Sequence, residues 1–160
     1  MLDLEQGSLN YFATRAVTPQ WSGFLQGLAT ELAAQMGADE LRSFFRVVGR
    51  RWARQQPLQA AASLAELEQA ANLWFANNDW GWVRVRDLQS ALEFQHSCAP
   101  LRQAFGADSI HWTAGVLEGL YDEWVRQLGA GEGLIVRHVG RVEGLMDTLR
   151  FRLAVPEHFS

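Results

Sequence analysis

The chain has 160 residues, of which 48% are hydrophobic and 20% are charged, a composition that indicates a folded globular protein and excludes a disordered one. Its formal net charge of −4 at pH 7 excludes a molecule whose whole surface is built to bind a polyanion. The single cysteine, Cys98, excludes an intrachain disulfide and a multi-cysteine metal site. All 14 basic residues are arginines, which favour planar, bidentate contacts, and the seven tryptophans suggest aromatic contacts between molecules.

The first half of the chain predicts helices. Residues 1–19 form a mixed leader, and a single domain is expected over residues 20–155. In that domain, apolar residues recur three and four positions apart and predict three buried helix faces. The first helix opens at Trp21, the second runs from about Asp39 to Gln55, and the third opens at Ser63 with a capping box. The three expected faces are Trp21, Phe24, Leu25, Leu28, Leu32 and Met36; Leu41, Phe44, Phe45, Val48 and Trp52; and Leu64, Leu67, Ala71 and Trp74.

The second half predicts two β-hairpins around a fourth helix. Alternation with period two marks strands over residues 80–88 and 92–98, with a turn near Gln89, and again over residues 134–139 and 148–154. The fourth helix spans Thr113 to Leu128. The predicted fold is therefore α+β, in the order ααα-ββ-α-ββ, with a four-stranded antiparallel sheet whose helices pack mainly on one face.

Few residues form a pattern that indicates catalysis or metal binding. The four histidines show no HExxH spacing, and the chain has no GxSxG, GxxxxGK[ST] or GxGxxG motif. Cys98 lies two residues from His96, so the two are either a nucleophile and its base or, as we favour, a small buried side chain beside a sheet histidine. We expect no catalytic residue, no metal and no cofactor.

Arginines recur along one side of the second helix, at positions 42, 46, 50 and 54, with Arg51 beside them. This ridge is either a cationic surface for an acidic partner, a nucleic acid or a phosphate, or the solvated side of an amphipathic helix paired with carboxylates such as Glu31 or Glu40. We favour the second interpretation. Because no aromatic residue interleaves with the arginines and the net charge is negative, we expect no nucleic-acid binding.

The strands predict one apolar sheet face and one face rich in arginine and tryptophan. Val83 and Val85 share one face of the first strand, and Trp82, Arg84 and Arg86 share the other. Arginine and tryptophan are enriched in oligomer interfaces, although such residues can also lie on a solvated face. We therefore predict an oligomer interface at Trp80, Trp82, Arg84, Arg86, Arg150 and Arg152.

The fourth helix carries the most specific string, Trp112-Thr-Ala-Gly-Val-Leu-Glu-Gly-Leu-Tyr-Asp-Glu-Trp-Val, followed by Gly129-Ala130. It closely resembles the D-subunit family of bacterial cellulose synthase operons (BcsD). Phe24-Leu-Gln-Gly-Leu, the segment from Glu40 to Arg51 and Trp80-Gly-Trp-Val resemble other parts of the family, so the likeness covers about residues 20–155. Glycines inside a helix are costly, so Gly115 and Gly119 predict a second backbone packed close to them. Glu118, Tyr121 and Trp124 are expected to be structural residues of the same motif.

The resemblance implies a non-enzymatic accessory protein that organises cellulose synthase complexes and glucan chains for ordered, crystalline cellulose. It implies dimers that assemble into a cylindrical homo-octamer, with other synthase components and glucan chains as partners. The aromatic residues of the leader and the helix start, Tyr11, Phe12 and Trp21, are the expected contacts to glucan or to a partner, although the stripe also predicts a core position for Trp21.

Two further expectations concern the location and the alternative function. The N-terminus lacks the basic region and the apolar run of a signal peptide, which predicts a cytoplasmic protein, with the periplasm as the alternative. No stretch approaches 18 apolar residues, so no membrane insertion is expected. The element order also resembles haem and nitric-oxide-binding sensor domains, and a small-ligand sensor is the alternative function.

Overall fold

The computed structural model describes residues 4–144 and 146–159 and is mixed helix and sheet, as predicted. Its helices are α1 (Leu4–Thr14), α2 (Pro19–Gln35), α3 (Ala38–Gln55), α4 (Leu64–Asn78), α5 (Leu101–Phe105), α6 (Ile110–Thr113) and α7 (Gly115–Gln127). Its strands are β1 (Trp82–Asp87), β2 (Leu92–Ser97), β3 (Ile135–Glu143) and β4 (Thr148–Ala154), with short 3₁₀ turns at Ala107–Ser109 and Pro156–Phe159.

The four strands form one antiparallel sheet in the order β1-β2-β4-β3. The predicted hairpin turn is present, because Gln89 adopts a positive φ of 68° and its amide donates to the Asp87 carboxylate at 2.7 Å. The inner face is apolar and packs against α7, where the Tyr121 ring stacks on Phe94 at 4.5 Å between centroids. The predicted alternation of buried and exposed residues along β1 and β4 is therefore confirmed.

The free edge of β1 is covered by side chains of α4. The Asn72 amide donates to the Val83 carbonyl and accepts from the Val83 amide, each at 2.8 Å, as a neighbouring strand would do. Glu68 accepts from the Val85 amide at 2.7 Å. Paired edges resist the addition of a foreign strand, so β1 offers no open ladder to a partner.

The local helix signals were partly correct. Ser63 caps α4 by accepting from the Glu66 amide at 3.2 Å, as the capping box predicts, although the Glu66 carboxylate reaches the amide of Ala62 instead of the Ser63 amide. The leader is not irregular throughout, since α1 occupies residues 4–14. No residue of α1 is buried, which explains why the sequence has no apolar stripe that would predict this helix. Residues 1–3 of the leader lie outside the described part of the chain.

The predicted burial of the apolar face of α2 is wrong for half of its residues. Trp21, Phe24 and Leu28 keep 53%, 62% and 41% of their surface exposed, whereas only Ala29 of this helix is buried. Leu32 and Met36, at the C-terminal end, pack partly against the core. The apolar period of α2 is real, but three of the six residues of this face stay exposed in the single chain.

Candidate functional site

The arginine ridge of α3 faces inward, against the almost completely buried helix α7. The predicted pairing with carboxylates is confirmed, but its partners are not Glu31 or Glu40. Arg42 and Arg46 pair with Glu118, Arg50 pairs with Asp122, and Arg54 pairs with Glu123. We call this contact the α3–α7 seam and define it by those seven residues and the glycines between the helices.

Glu118 is the centre of the seam and is completely buried. Its Oε1 atom accepts from Arg42, through both Nε at 2.8 Å and a terminal nitrogen, and from the His138 amide at 2.9 Å. Arg46 Nε lies 3.4 Å from the other oxygen, and burial lowers the pKa of Arg46 while Glu118 acts against that decrease. A buried carboxylate held by two guanidinium groups fixes the position of a helix, because either charge alone would be costly inside the protein.

Glycines let the two helix backbones of the seam touch. A Cβ atom at Gly115 would overlap the Arg42 carbonyl, and one at Gly119 would overlap the Arg46 carbonyl. Gly49 of α3 lies in the same way against the Val116 carbonyl of α7. A second backbone therefore does lie against the Gly115/Gly119 face, and Gly49 is its counterpart, which the sequence reasoning missed.

His96 lies in the core with both ring nitrogens engaged. Nε2 lies 2.7 Å from the Trp80 carbonyl, which can only accept, so Nε2 carries the proton and Nδ1 accepts from the Tyr121 hydroxyl at 2.6 Å. Burial lowers the pKa of His96 to about 4 and raises the pKa of Tyr121. The pairing of His96 with Cys98 as base and nucleophile is therefore not formed, and burial raises the pKa of the Cys98 thiol.

The outer surface of α2 and α3 is apolar. On α3, Phe44, Val47 and Val48 lie opposite the seam, and Phe44 is 50% exposed. Trp21, Phe24 and Leu28 form the corresponding stripe on α2. We call these two sets the outer stripes. Exposed apolar clusters of this kind mark sites of interaction with other molecules.

Tyr11 and Phe12 border an open cavity of about 650 Å³ between α1 and the start of β1, together with Phe75, Gly81 and Cys98. Their rings meet edge to face, with 5.6 Å between the ring centroids. Trp21 instead packs against Phe24, with 6.0 Å between the centroids, and belongs to the α2 stripe. The three aromatic residues predicted as glucan or partner contacts thus divide between two surfaces.

The six residues of the predicted oligomer interface also divide. Trp82, Arg84, Arg86, Arg150 and Arg152 lie on the face of the sheet away from α7, which we call the open sheet face. Trp80 does not belong to it, because its ring packs against Trp52 at 4.9 Å between centroids. The remaining motif residues, Tyr121 and Trp124, are buried against each other in the core.

No cluster of three or more potential metal-ligating side chains is found among the described residues. Within the same residues, no helix has the length and apolarity needed to cross a membrane.

Comparison with known proteins relates most of the chain to one family. The family model that describes the D subunit of cellulose synthase matches residues 7–152. A protein of Komagataeibacter xylinus named "Cellulose synthase operon protein D" is 32% identical over 125 residues, which is 76% of this chain and 80% of the relative. A protein of the same name from Komagataeibacter sucrofermentans is 31% identical over the same shares. This chain belongs to the D-subunit family of cellulose synthase.

Proposed function

We propose that the chain is a non-catalytic accessory component of bacterial cellulose synthesis that works as a self-assembled scaffold. The names of its relatives support the role in cellulose synthesis. The observation that carries the scaffold is the pair of outer stripes, whose large apolar side chains stay exposed in the single chain. Covering such side chains with a second copy removes apolar area from water at about 25 cal/mol per Å².

The interior supports a structural role for the residues that first suggest catalysis. The buried acids Glu118, Asp122 and Glu123 are all paired with arginines, and His96 uses both nitrogens in hydrogen bonds. Catalytic acids and bases need a free proton site directed at a substrate. These groups instead hold α7 to α3 and to the sheet.

Closed assembly from dimers to an octamer needs two different self-contacts. The outer stripes supply one candidate. The interface predicted on the open sheet face, at Trp82, Arg84, Arg86, Arg150 and Arg152, stays a prediction for the second. Partners among the other synthase components, the cytoplasmic location and the small-ligand sensor also stay predictions, and the sensor would reveal itself by a Soret band if it bound haem.

The leader is proposed to contact glucan or a partner through Tyr11 and Phe12. The open cavity that they border, and the exposure of α1, which has no buried residue, support this. The test is deletion of residues 1–12 in a cellulose-producing cell, where we expect normal amounts of the protein and altered cellulose crystallinity. An unchanged cellulose product would remove the leader from the function.

A further inference from the structure

The open sheet face contains a groove of about 340 Å³ at the Trp82 end of the sheet. Its lining combines one exposed aromatic ring, planar polar groups and hydroxyls: Trp82, Arg84, Gln95, Ser97, Cys98, Met146 and Thr148. Trp82 pairs with Ser97 and Arg84 pairs with Gln95 across β1 and β2, so these side chains form two adjacent rows. Rows on one face of a strand are about 7 Å apart, which leaves room for a sugar ring between them.

We infer that this groove binds a segment of a neutral, β-linked glucan, with Trp82 as the stacking platform. The inference rests on the proposed role in cellulose synthesis for the identity of the sugar. The chemistry of the lining is that of a saccharide site, because a flat aromatic ring covers the C–H face of a sugar while amide, guanidinium and hydroxyl groups exchange hydrogen bonds with its hydroxyls.

Cys98 forms one wall of the groove beside the Trp82 ring. Cys98 has a positive φ of 64° and follows directly on β2, and its amide donates to the Met146 carbonyl at 2.9 Å. A hydrogen bond from the Trp82 side chain acts against the increase that burial causes in the pKa of the Cys98 thiol. Trp82 keeps 47% of its surface exposed, so its ring is accessible to a ligand.

The charges around the groove favour a neutral ligand over an acidic peptide. Arg150 pairs with Glu143 at 2.5 Å, and Arg152 lies 3.4 Å from Glu93. The floor of the groove is the hydroxyl pair of Ser97 and Thr148, whose oxygens are 2.8 Å apart. Arg84 is the exposed arginine of the groove lining, and together with the hydroxyls it is suited to a polyol, whereas Arg86 of the same strand lies outside the groove.

The groove adjoins the cavity of the leader. Cys98 lines both, and Gly81, which borders the leader cavity, precedes Trp82 in the chain. Tyr11 and Phe12 border one cavity and Trp82 borders the other, so we expect a linear glucan that extends beyond the groove to run toward the leader. A linear ligand that contacts several aromatic residues gains affinity from each without needing a deep pocket.

The test is isothermal titration of the full chain with cellohexaose, with maltohexaose as the control oligosaccharide. We expect Trp82→Ala to weaken cellohexaose binding at least tenfold, Trp82→Phe to restore part of it, and Thr148→Val to weaken it several-fold. Glu132→Gln, an exposed acid outside the groove and outside both predicted self-contacts, is the matched control and should bind as the unmodified chain does.

The mass of the assembly is measured for the same variants, because the open sheet face is also a predicted oligomer interface. Trp82→Ala that lowers the mass and leaves cellohexaose binding unchanged would overturn the inference in favour of that interface. Equal affinity for maltohexaose, or no binding of cellohexaose by the assembled, unmodified chain, would overturn it as well. Assembly that persists without sugar binding would leave the scaffold intact, so the two proposals fail separately.

Discussion

The α3–α7 seam and the outer stripes belong partly to the same helix, yet they reverse the usual places of charge and apolar surface. The seam puts Glu118, Asp122 and Glu123 inside and neutralises each with arginine from α3. The outer stripes put Trp21, Phe24 and Phe44 outside, where their large rings stay half exposed or more in the single chain.

The difference separates contacts that hold the fold together from surfaces that are free for association. Inside, buried acids that are each paired with arginine give one geometry for two helices whose backbones touch at glycines. Outside, side chains that would normally form a core are left for contact with another molecule. We propose that the seam determines whether the chain folds and that the outer stripes determine what the folded chain associates with.

The most damaging change to the seam is a methyl group at Gly119. In Gly119→Ala the new Cβ atom would overlap the Arg46 carbonyl, so the helices must separate and lose their ion pairs. We expect a loss of about 4 kcal/mol or an insoluble chain. Gly27→Ala on α2, where a Cβ atom meets open space, is the matched control and should stabilise the helix by up to about 1 kcal/mol. Equal urea midpoints for the two variants would contradict the close contact.

Removing the central charge tests the seam without a steric clash. Glu118→Gln leaves the guanidinium groups of Arg42 and Arg46 beside a neutral amide, and we expect the free energy of unfolding to fall by about 3 kcal/mol. Glu31→Gln, an exposed acid hydrogen-bonded to Gln35, should change it by less than about 0.5 kcal/mol. Urea unfolding at pH 7 measures both, and a cost at Glu118 no larger than at Glu31 would show that the buried pairs contribute nothing.

The pH dependence of the free energy of unfolding is a third way to distinguish buried groups from exposed ones. The pKa of His96 is lowered to about 4 in the folded chain, so the unfolded chain binds its proton first as the pH falls below about 6.5. The stability that His96 contributes is therefore complete above pH 6.5 and is lost toward pH 4, at most on the order of 3 kcal/mol.

Substitutions of single histidines test which residue causes this loss of stability at low pH. His96→Gln should flatten the decrease in the free energy of unfolding between about pH 6.5 and 4.5. Burial also lowers the pKa of His138, so His138→Gln should remove a second part of the slope. A slope that survives the loss of His96 and His138 would refute this assignment.

The smallest effect on folding is expected at the leader. Deleting residues 1–12 removes most of α1, of which no described residue is buried, so the free energy of unfolding should change by less than about 1 kcal/mol. The cooperativity of urea unfolding should be unchanged. A decrease in the free energy of unfolding as large as that of Glu118→Gln would contradict this and would show that α1 stabilises the core as the seam does.

The sequence predicted the sheet better than the helix faces, for a physical reason. Alternation along Trp82–Asp87 states directly which side chains face the core, and the hairpin turn needs only local residues. The arginines of α3 looked like a solvated face because their acidic partners lie 72 and 76 residues away for Arg50 and Arg42. The one available signal was that Glu118 and Asp122 repeat at the same four-residue spacing as Arg46 and Arg50.

The sequence predicted which residue types are suited to contacts, but it did not predict where those residues lie in the fold. Trp21 and Phe12 were recognised as aromatic residues suited to contacts, but Trp21 lies on the α2 stripe and Phe12 lies beside the leader cavity. The Trp82 groove depends on three strands that are separated in the chain, and no local pattern brings Gln95 and Thr148 together. Tertiary packing decides such positions.

The most direct test of the account is the mass of the assembly in solution, measured by light scattering at micromolar concentration. We expect a multiple of the 18.0 kDa mass of one chain, and we expect the double substitution Phe24→Ser and Phe44→Ser to reduce it with little change in the free energy of unfolding. Glu132→Gln, in the exposed turn before β3 and outside both predicted self-contacts, is the control that should stay assembled. An unmodified chain with a mass of 18.0 kDa would contradict the account.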